Sequence, residues 1–250
     1  MSGYALAARG LNKSFGSLVV AADVELNLPA GVRYALIGPN GAGKTTLINL
    51  ITGMLRPDAG RIFLGDRDIT AAAPDDRVRS GLVRTFQINS LFPHLTALES
   101  VMLAVCERRR VAQTWWRPIT AYRDEADEAY GILNSLMLGG VSQRLTRELP
   151  YGQQRLLEIA LALATKPKVL LLDEPTAGVP RGESRDLFAA IAGLSSDITV
   201  LFIEHDMDLV FRFAARVIVM VGGRVLVEGT PAEIASDPHV RAVYLGKARQ

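Results

Sequence analysis

Apolar positions along the chain fall into two rhythms. Val24-Glu25-Leu26-Asn27-Leu28 alternates apolar and polar, as a half-buried strand does, and residues 4–36 as a whole predict short strands. A turn at Pro29-Ala30-Gly31 leads into the apolar run Tyr34-Ala35-Leu36-Ile37. Gly60-Arg61-Ile62-Phe63-Leu64-Gly65 is a glycine-bounded strand, and Gly81-Leu82-Val83-Arg84-Thr85-Phe86-Gln87 is another short one ending in glutamine. Val169-Leu170-Leu171-Leu172 and Val200-Leu201-Phe202-Ile203 are unbroken apolar runs, the mark of strands covered on both faces of a parallel sheet. Tail strands are predicted over 217–221 and 224–228. Helical spacing links Leu98, Val101, Met102 and Val105, and recurs from Gln153 to Thr165 in Leu156, Leu157, Ile159, Ala160, Leu163 and Ala164, with Pro167 as the stop. A further helix is predicted over about 182–194.

Strands that alternate with helices imply a doubly wound α/β core whose ligands sit at the carboxyl ends of the strands. Residues 96–148 differ, with dense charge and helical spacing, and predict an α-helical subdomain inserted into that core. Trp115 and Trp116 fall in this region, either as a clasp between helices or as a patch facing a partner.

Composition narrows the class. The 250 residues are 49% apolar and 22% charged, an ordinary globular balance. The 28 basic against 26 acidic residues leave a formal +2, which does not argue for a nucleic-acid partner. A lone cysteine, Cys106, excludes an intramolecular disulfide and reads as a small buried hydrophobe in a reducing compartment. Residues 1–10 carry no secretory pattern, and no uninterrupted apolar stretch reaches the ~18 residues of a membrane span. Any membrane process would need other subunits to do the spanning.

The chemistry begins after the run ending at Ile37. Gly38-Pro39-Asn40-Gly41-Ala42-Gly43-Lys44-Thr45-Thr46 matches G-x-x-x-x-G-K-[ST] between a predicted strand and the helix opening near Gly43. Glycines let successive N–H groups curl toward phosphate oxygens, and a helix N-terminus adds its positive dipole end. Lys44 is placed to reach β- and γ-phosphates, and the Thr45 hydroxyl to ligate Mg²⁺. A glycine turn with no ligand would need neither the lysine nor the hydroxyl. Asp173 closes a wholly apolar strand, where such a protein holds its Mg²⁺, and Glu174 beside it can accept a proton from an attacking water. His205 closes another strand in Glu204-His205 and can donate to a γ-phosphate or the water, although a lone histidine is more often structural. Phe15, on a predicted loop, can stack on an adenine face, although a core aromatic is the commoner use of such a ring.

Taken as a set and in order, these motifs resemble the ATPase subunits of ABC transporters over nearly the whole chain. The resemblance rests on the phosphate loop from Gly38 to Thr46, Gln87, and Leu149-Pro150-Tyr151-Gly152-Gln153-Gln154. It continues through Leu170-Leu171-Leu172-Asp173-Glu174-Pro175-Thr176 and Glu204-His205-Asp206-Met207. It implies a P-loop NTPase (RecA-like) core with an N-terminal antiparallel β subdomain and an inserted α-helical subdomain. The expected boundaries are about 1–90 and 155–250 for the core and 91–154 for the helical part. It further implies that ATP and Mg²⁺ are bound. Phe15 would stack on adenine, Gln87 would approach Mg²⁺ and sense membrane subunits, Glu174 would be the base and His205 the γ-phosphate sensor. Two ATPase subunits, of the same or different chains, would close head to tail. Tyr151, Gly152 and Gln153, opening a helix over 153–165, would then face the partner's nucleotide.

Two departures stand out. The family's signature carries a serine where Pro150 stands and often a glycine where Tyr151 stands, and the loop Ala177-Gly178-Val179-Pro180 lacks the usual aspartate near Pro180. Weaker or altered closure is expected from them, with the core machinery intact. Arg84-Thr85-Phe86-Gln87, Leu91-Phe92-Pro93-His94-Leu95-Thr96, the long 108–127 insertion, Tyr151-Gly152-Gln153-Gln154-Arg155, Glu228-Gly229-Thr230-Pro231 and Tyr244-Leu245-Gly246 resemble the ATPases of branched-chain (hydrophobic) amino-acid importers. The partners so implied are two transmembrane permeases and, indirectly, a periplasmic or extracellular solute-binding protein. The chain would work peripherally on the cytoplasmic face of the membrane, with no nucleic-acid partner. Importers of urea or short amides, a lipid or lipopolysaccharide export system, and a non-transport ABC ATPase are the competing readings.

Overall fold

The computed structural model describes residues 3–85, 91–111 and 122–245. Gln87, Trp115 and Trp116 lie outside the described residues. The chain divides into two compact units, one of residues 1–84, 168–174 and 195–250, the other of residues 85–167 and 175–194.

The first unit holds two sheets. β1 (Tyr4–Phe15) and β2 (Leu18–Pro29) form a long antiparallel hairpin. β4 (Ala59–Leu64) and β5 (Arg67–Asp68) extend it in the order β2-β1-β4-β5. Several short strands were expected here, whereas two 12-residue strands are found. The β1–β2 pairing shifts register at several points, including between Ala8 and Leu11, and each shift breaks the period-2 pattern that would reveal one long strand. Phe15 accordingly ends β1 instead of lying on a loop.

The second sheet contains β3 (Arg33–Ile37), β6 (Leu82–Arg84), β7 (Val169–Asp173), β8 (Thr199–Ile203), β9 (Arg216–Val221) and β10 (Arg224–Gly229) in the order β10-β9-β3-β8-β7-β6. Only β10 is antiparallel to its neighbour. β7 and β8 are buried at every position, which explains their unbroken apolar sequences. The parallel register sets Asp173 beside Ile203 and Leu36 beside both Ile203 and Ile218, so the carboxyl ends of β3, β7, β8 and β9 lie along one edge.

Helix α1 (Lys44–Thr52) follows β3, and its Leu47, Ile48, Leu50 and Ile51 join a core shared by both sheets with Leu6, Leu26, Leu36, Leu201 and Ile218. The C-terminal end of α1 is closed by Arg77 of α2 (Pro74–Arg79), only 2% exposed. Its guanidinium donates to the carbonyls of Leu50, Ile51, Thr70 and Ala72. A buried cation is tolerable there because carbonyl oxygens, including those orphaned at the helix end, surround it.

The second unit is helical: α3 (Ala97–Arg109), α4 (Arg123–Ser135), α5 (Tyr151–Ala164) and α6 (Arg181–Ala192). Thr96 and Glu99 form a capping box that starts α3. α3 packs on α4 and α5 through residues such as Val101, Val105, Ala129, Leu133 and Leu157. Arg108 and Arg109 at the end of α3 bind Glu128 of α4, and Arg109 also binds Glu125. In the first unit, α7 (Met207–Phe213), α8 (Pro231–Ser236) and α9 (Pro238–Leu245) complete the chain. No helix among the described residues is long and apolar enough to cross a membrane.

Hydrogen bonds from Arg108, and beside it Arg109 and Lys166, hold the Glu128 carboxyl down at about 2 from its ordinary 4.5. The folded state thus favours the ionised form. That stabilisation is complete above the unfolded value and is lost as pH falls from about 4.5 toward 2. Melting of Glu128→Gln and the parent should therefore differ most above pH 5, with the curves converging toward pH 2. A difference independent of pH would contradict this.

Candidate functional site

The edge of the six-stranded sheet is where the charged residues gather. β3 runs into the segment 38–43 and then α1, the strand–loop–helix order that the motif requires. Gly43 caps α1 at φ 99°, and a Cβ there would lie 2.5 Å from the Val20 carbonyl oxygen. At Gly38 a Cβ would lie 2.2 Å from the carbonyl oxygen of Met220. Backbone packed this closely admits only glycine at both positions. Asn40, Gly41 and Thr45 are exposed, Pro39 and Thr46 half-buried. The Ala42 N–H donates to the Pro39 carbonyl at 3.1 Å, so this one amide is used inside the loop. No side chain caps α1, so the N–H groups of its first turn have no intrahelical or capping partner.

Lys44 is 7% exposed and donates to the carbonyl oxygens of Gly38, at 2.7 Å, and Pro39, at 3.2 Å. Burial pushes its ammonium down from its ordinary value, and the carboxylates of Glu174 and Asp173 oppose that shift. The lysine is thus surrounded by oxygens of the loop and by the carboxylates at the end of β7.

Asp173 ends β7 and is 8% exposed. Its Oδ2 accepts from Arg84 Nη2 at 2.6 Å, and Arg84 Nη1 donates to Asn49 Oδ1 at 2.7 Å. Glu174 follows at φ 48°, in the left-handed region, which costs a non-glycine residue about 1–2 kcal/mol. Its N–H donates to the Ile203 carbonyl at 3.1 Å, and its Oε1 lies 2.8 Å from Nε2 of His205. Those two side chains are 32% and 50% exposed, so the pair is open to solvent. Phe15 is 51% exposed, with the Lys13 ammonium 5.6 Å from its ring centre. An exposed aromatic face suits a stacked base better than a core role.

The donor set fits a polyphosphate: an ammonium, uncapped amides and a helix N-terminus. A hard cation fits as well. Thr45 and Asp173 supply oxygen, and Mg²⁺ takes one or two protein ligands and fills the rest with water and phosphate oxygens. Among the described residues no group of three His, Cys, Asp or Glu forms a dedicated metal cage.

In the second unit α5 opens at Tyr151 with Pro150 as its N-cap, two residues before the expected start. The missing proline N–H therefore costs the helix nothing, while the side-chain oxygen a serine would offer is absent. Gly152 is buried, and a Cβ there would meet Glu183 Oε2 at 2.4 Å. Gln153 is half-buried, its Oε1 without a hydrogen-bond partner. A cavity of about 310 Å³ opens beside Pro150, Gly152 and Gln153, with Glu183 and Asp186 on its wall. The Tyr151 hydroxyl lies 3.3 Å from the Ala177 carbonyl and accepts from Arg155 Nη2 at 2.6 Å. Its ring covers Gly178, where φ is 78°.

The motifs overlooked Arg84 and Arg155. Arg84 closes a short apolar strand, the same signal that marked Asp173, and Arg155 is a charged residue on the apolar face of a helix, 7% exposed.

Residues 21–177 match the model of the ABC transporter family, and residues 224–249 that of the branched-chain amino acid ATP-binding cassette transporter. The chain is 38% identical to the high-affinity branched-chain amino acid transport ATP-binding protein BraF of Pseudomonas aeruginosa, over 99% of this chain and 100% of that protein. It is 37% identical to LivG of Escherichia coli, a protein of the same description, over the same shares. Among solved structures it is similar to a nucleotide-free ATP-binding cassette from an ABC transporter, at 34% identity and a TM-score of 0.82, covering 96% of this chain and 98% of that one. An ABC transporter cassette in its ADP conformation gives 33% identity and a TM-score of 0.82, with 97% and 99% covered.

Removing only the hydroxyl in Tyr151→Phe keeps the ring on Gly178 and deletes both hydrogen bonds. Loss of about 1–2 kcal/mol of stability is expected in urea unfolding, with faster amide exchange over residues 176–179. Unchanged exchange there would mean that the hydroxyl does not hold the segment.

Proposed function

The chain belongs to the ABC transporter family of ATP-binding cassettes, and on that premise we propose that it binds and hydrolyses ATP to power an importer of branched-chain amino acids. The observation carrying the hydrolytic part is the 2.8 Å approach of His205 Nε2 to Glu174 Oε1 beyond the ends of β7 and β8. The cargo class is supported by the nearly full-length likeness to BraF and LivG and by the match over residues 224–249.

In this reading Phe15 stacks on the adenine. The amides of residues 38–46 other than Pro39 and Ala42, and the Lys44 ammonium, hold the phosphates, with charge-assisted hydrogen bonds strengthened by burial. Thr45, Asp173 and Gln87 would hold Mg²⁺, which when bound would neutralise charge on the phosphate oxygens. Glu174 takes the proton of the attacking water, so the water's oxygen bonds to the γ-phosphorus as the bond to the bridging oxygen breaks. His205 holds the Glu174 carboxylate in place and reports on the γ-phosphate.

Tyr151, Gly152 and Gln153 face the nucleotide of a second ATPase subunit, of the same or a different chain. Closure of the pair passes through the Gln87 region to two transmembrane permeases fed by a solute-binding protein outside the membrane. The subunit itself works on the cytoplasmic face without spanning.

Glu174→Gln should take up Mg·ATP with parental affinity in calorimetry while turnover falls about 10²–10⁴-fold, the usual contribution of a general base. Near-parental hydrolysis would assign the base elsewhere. For the cargo, proteoliposomes holding this chain with its permeases should take up leucine in an ATP-dependent way, and ATP-driven lipid release without uptake would replace the importer reading. Pro150→Ser restores a capping hydroxyl to α5 and should lower the ATP concentration giving half-maximal turnover. An unchanged rate and affinity would remove the case that Pro150 weakens closure.

A further inference from the structure

Arg84 ends β6 and carries a guanidinium that reaches two other elements. Nη2 donates to Asp173 Oδ2 at the end of β7, and Nη1 donates to Asn49 Oδ1 on α1. The side chains of Arg84 and Asp173 are 13% and 6% exposed. Asn49 follows Thr45 by four residues, so the two lie on one face of α1, about a turn apart. One planar, rigid fork therefore spans the strand end that supplies the aspartate and the helix that supplies the threonine.

At the surface such a pair would be worth little, but here it lies largely out of water, where losing one partner costs more. The fork does more than neutralise. With Oδ2 engaged and the guanidinium plane tied to α1 through Asn49, the Asp173 carboxylate is held in one orientation and presents Oδ1. Without Arg84 the carboxylate would still feel the Lys44 ammonium. Asp173 would then turn toward the lysine that is needed for phosphate.

We propose that Arg84 is a positioning residue for the cation end of the site, fixing the Asp173 carboxylate so that one oxygen serves the Mg²⁺ of Mg·ATP while Lys44 stays with the phosphates. This rests on the ATP-binding reading above and adds to it a residue that neither the phosphate loop nor the acidic strand end contains.

The test is calorimetry on the purified full chain, with ATP titrated in EDTA and at graded Mg²⁺. Arg84→Lys keeps the charge and loses the fork. It should raise the Mg²⁺ needed for half-maximal ATP uptake about tenfold, the lower end of what outer-shell changes cost a metal site. Affinity for ATP in EDTA should change less than about twofold, since phosphate contacts are untouched. Asn49→Ala should shift the Mg²⁺ requirement in the same direction but less. In an Asp173→Asn background Arg84→Lys should have no further effect, because the group it positions has changed.

A purely structural role predicts loss of thermal stability with equal loss of ATP uptake with and without Mg²⁺. That result, or additivity with Asp173→Asn, would overturn the assignment. Failure of the parent to take up Mg·ATP at all would instead overturn the ATP-binding reading, so the two failures are distinguishable.

Discussion

Burying the Lys44 ammonium is unfavourable unless oxygens replace its water, and the phosphate-loop edge of the sheet is arranged around that requirement. The Gly38 and Pro39 carbonyls supply two of those oxygens, and the carboxylates of Asp173 and Glu174 act on the charge from the end of β7. For carbonyls and carboxylates to converge, β3 and β7 must end at the same edge, and the parallel register does this through β8 between them. Close approach of the loop to Met220 and Val20 then excludes any side chain at Gly38 and Gly43. The lysine, the glycines and the buried strands are thus consequences of one electrostatic demand in a region of low dielectric.

Strain is concentrated in the same place. Glu174 is in a left-handed conformation that its side chain disfavours, one residue after a fully buried strand. Its N–H nevertheless donates to Ile203, and its carboxylate meets His205, which follows β8 by one residue beyond Glu204. The turn sends the Asp173 and Glu174 carboxylates to different partners, Arg84 and His205. Two adjacent acids thus stand in different surroundings, one paired and out of water, the other half-open to solvent. Local backbone energy of about 1–2 kcal/mol is small beside the fold that imposes it.

The strands of the six-stranded sheet were legible because burial on both faces leaves unbroken apolar runs, and the phosphate loop because its glycines, lysine and hydroxyl have no common structural use together. Long β1 and β2 were not, since register shifts scramble the alternation that defines a strand. The start of α5 was misplaced by two residues because its apolar spacing begins only at Leu156, leaving Tyr151 and Gly152 of the first turn without a helical signal. Arg84 was hidden for a different reason. Its meaning depends on strand order, and only the pairing of β6 with β7 brings an arginine of one strand to the aspartate of the other.

A brace of a different kind, in the helical unit, gives one departure from the family pattern a structural use. Tyr151 stands where a glycine is common, and the segment after Thr176 lacks an aspartate, so each looks like a separate loss of a polar contact. In space the tyrosine ring lies on Gly178, its hydroxyl is bonded to the Ala177 carbonyl, and Arg155 braces both from the next turn of α5. A glycine at 151 would leave Arg155 with fewer partners in a buried setting, and a larger residue at 178 would meet the ring at 3.2 Å in a conformation that only glycine adopts comfortably. Tyr151 and Gly178 therefore fit each other, and the segment at 177–178 is fastened to α5 by its own chain. A segment fastened in this way has less conformational freedom to lose when another surface meets the opening of α5, which lowers the entropy cost of such a contact.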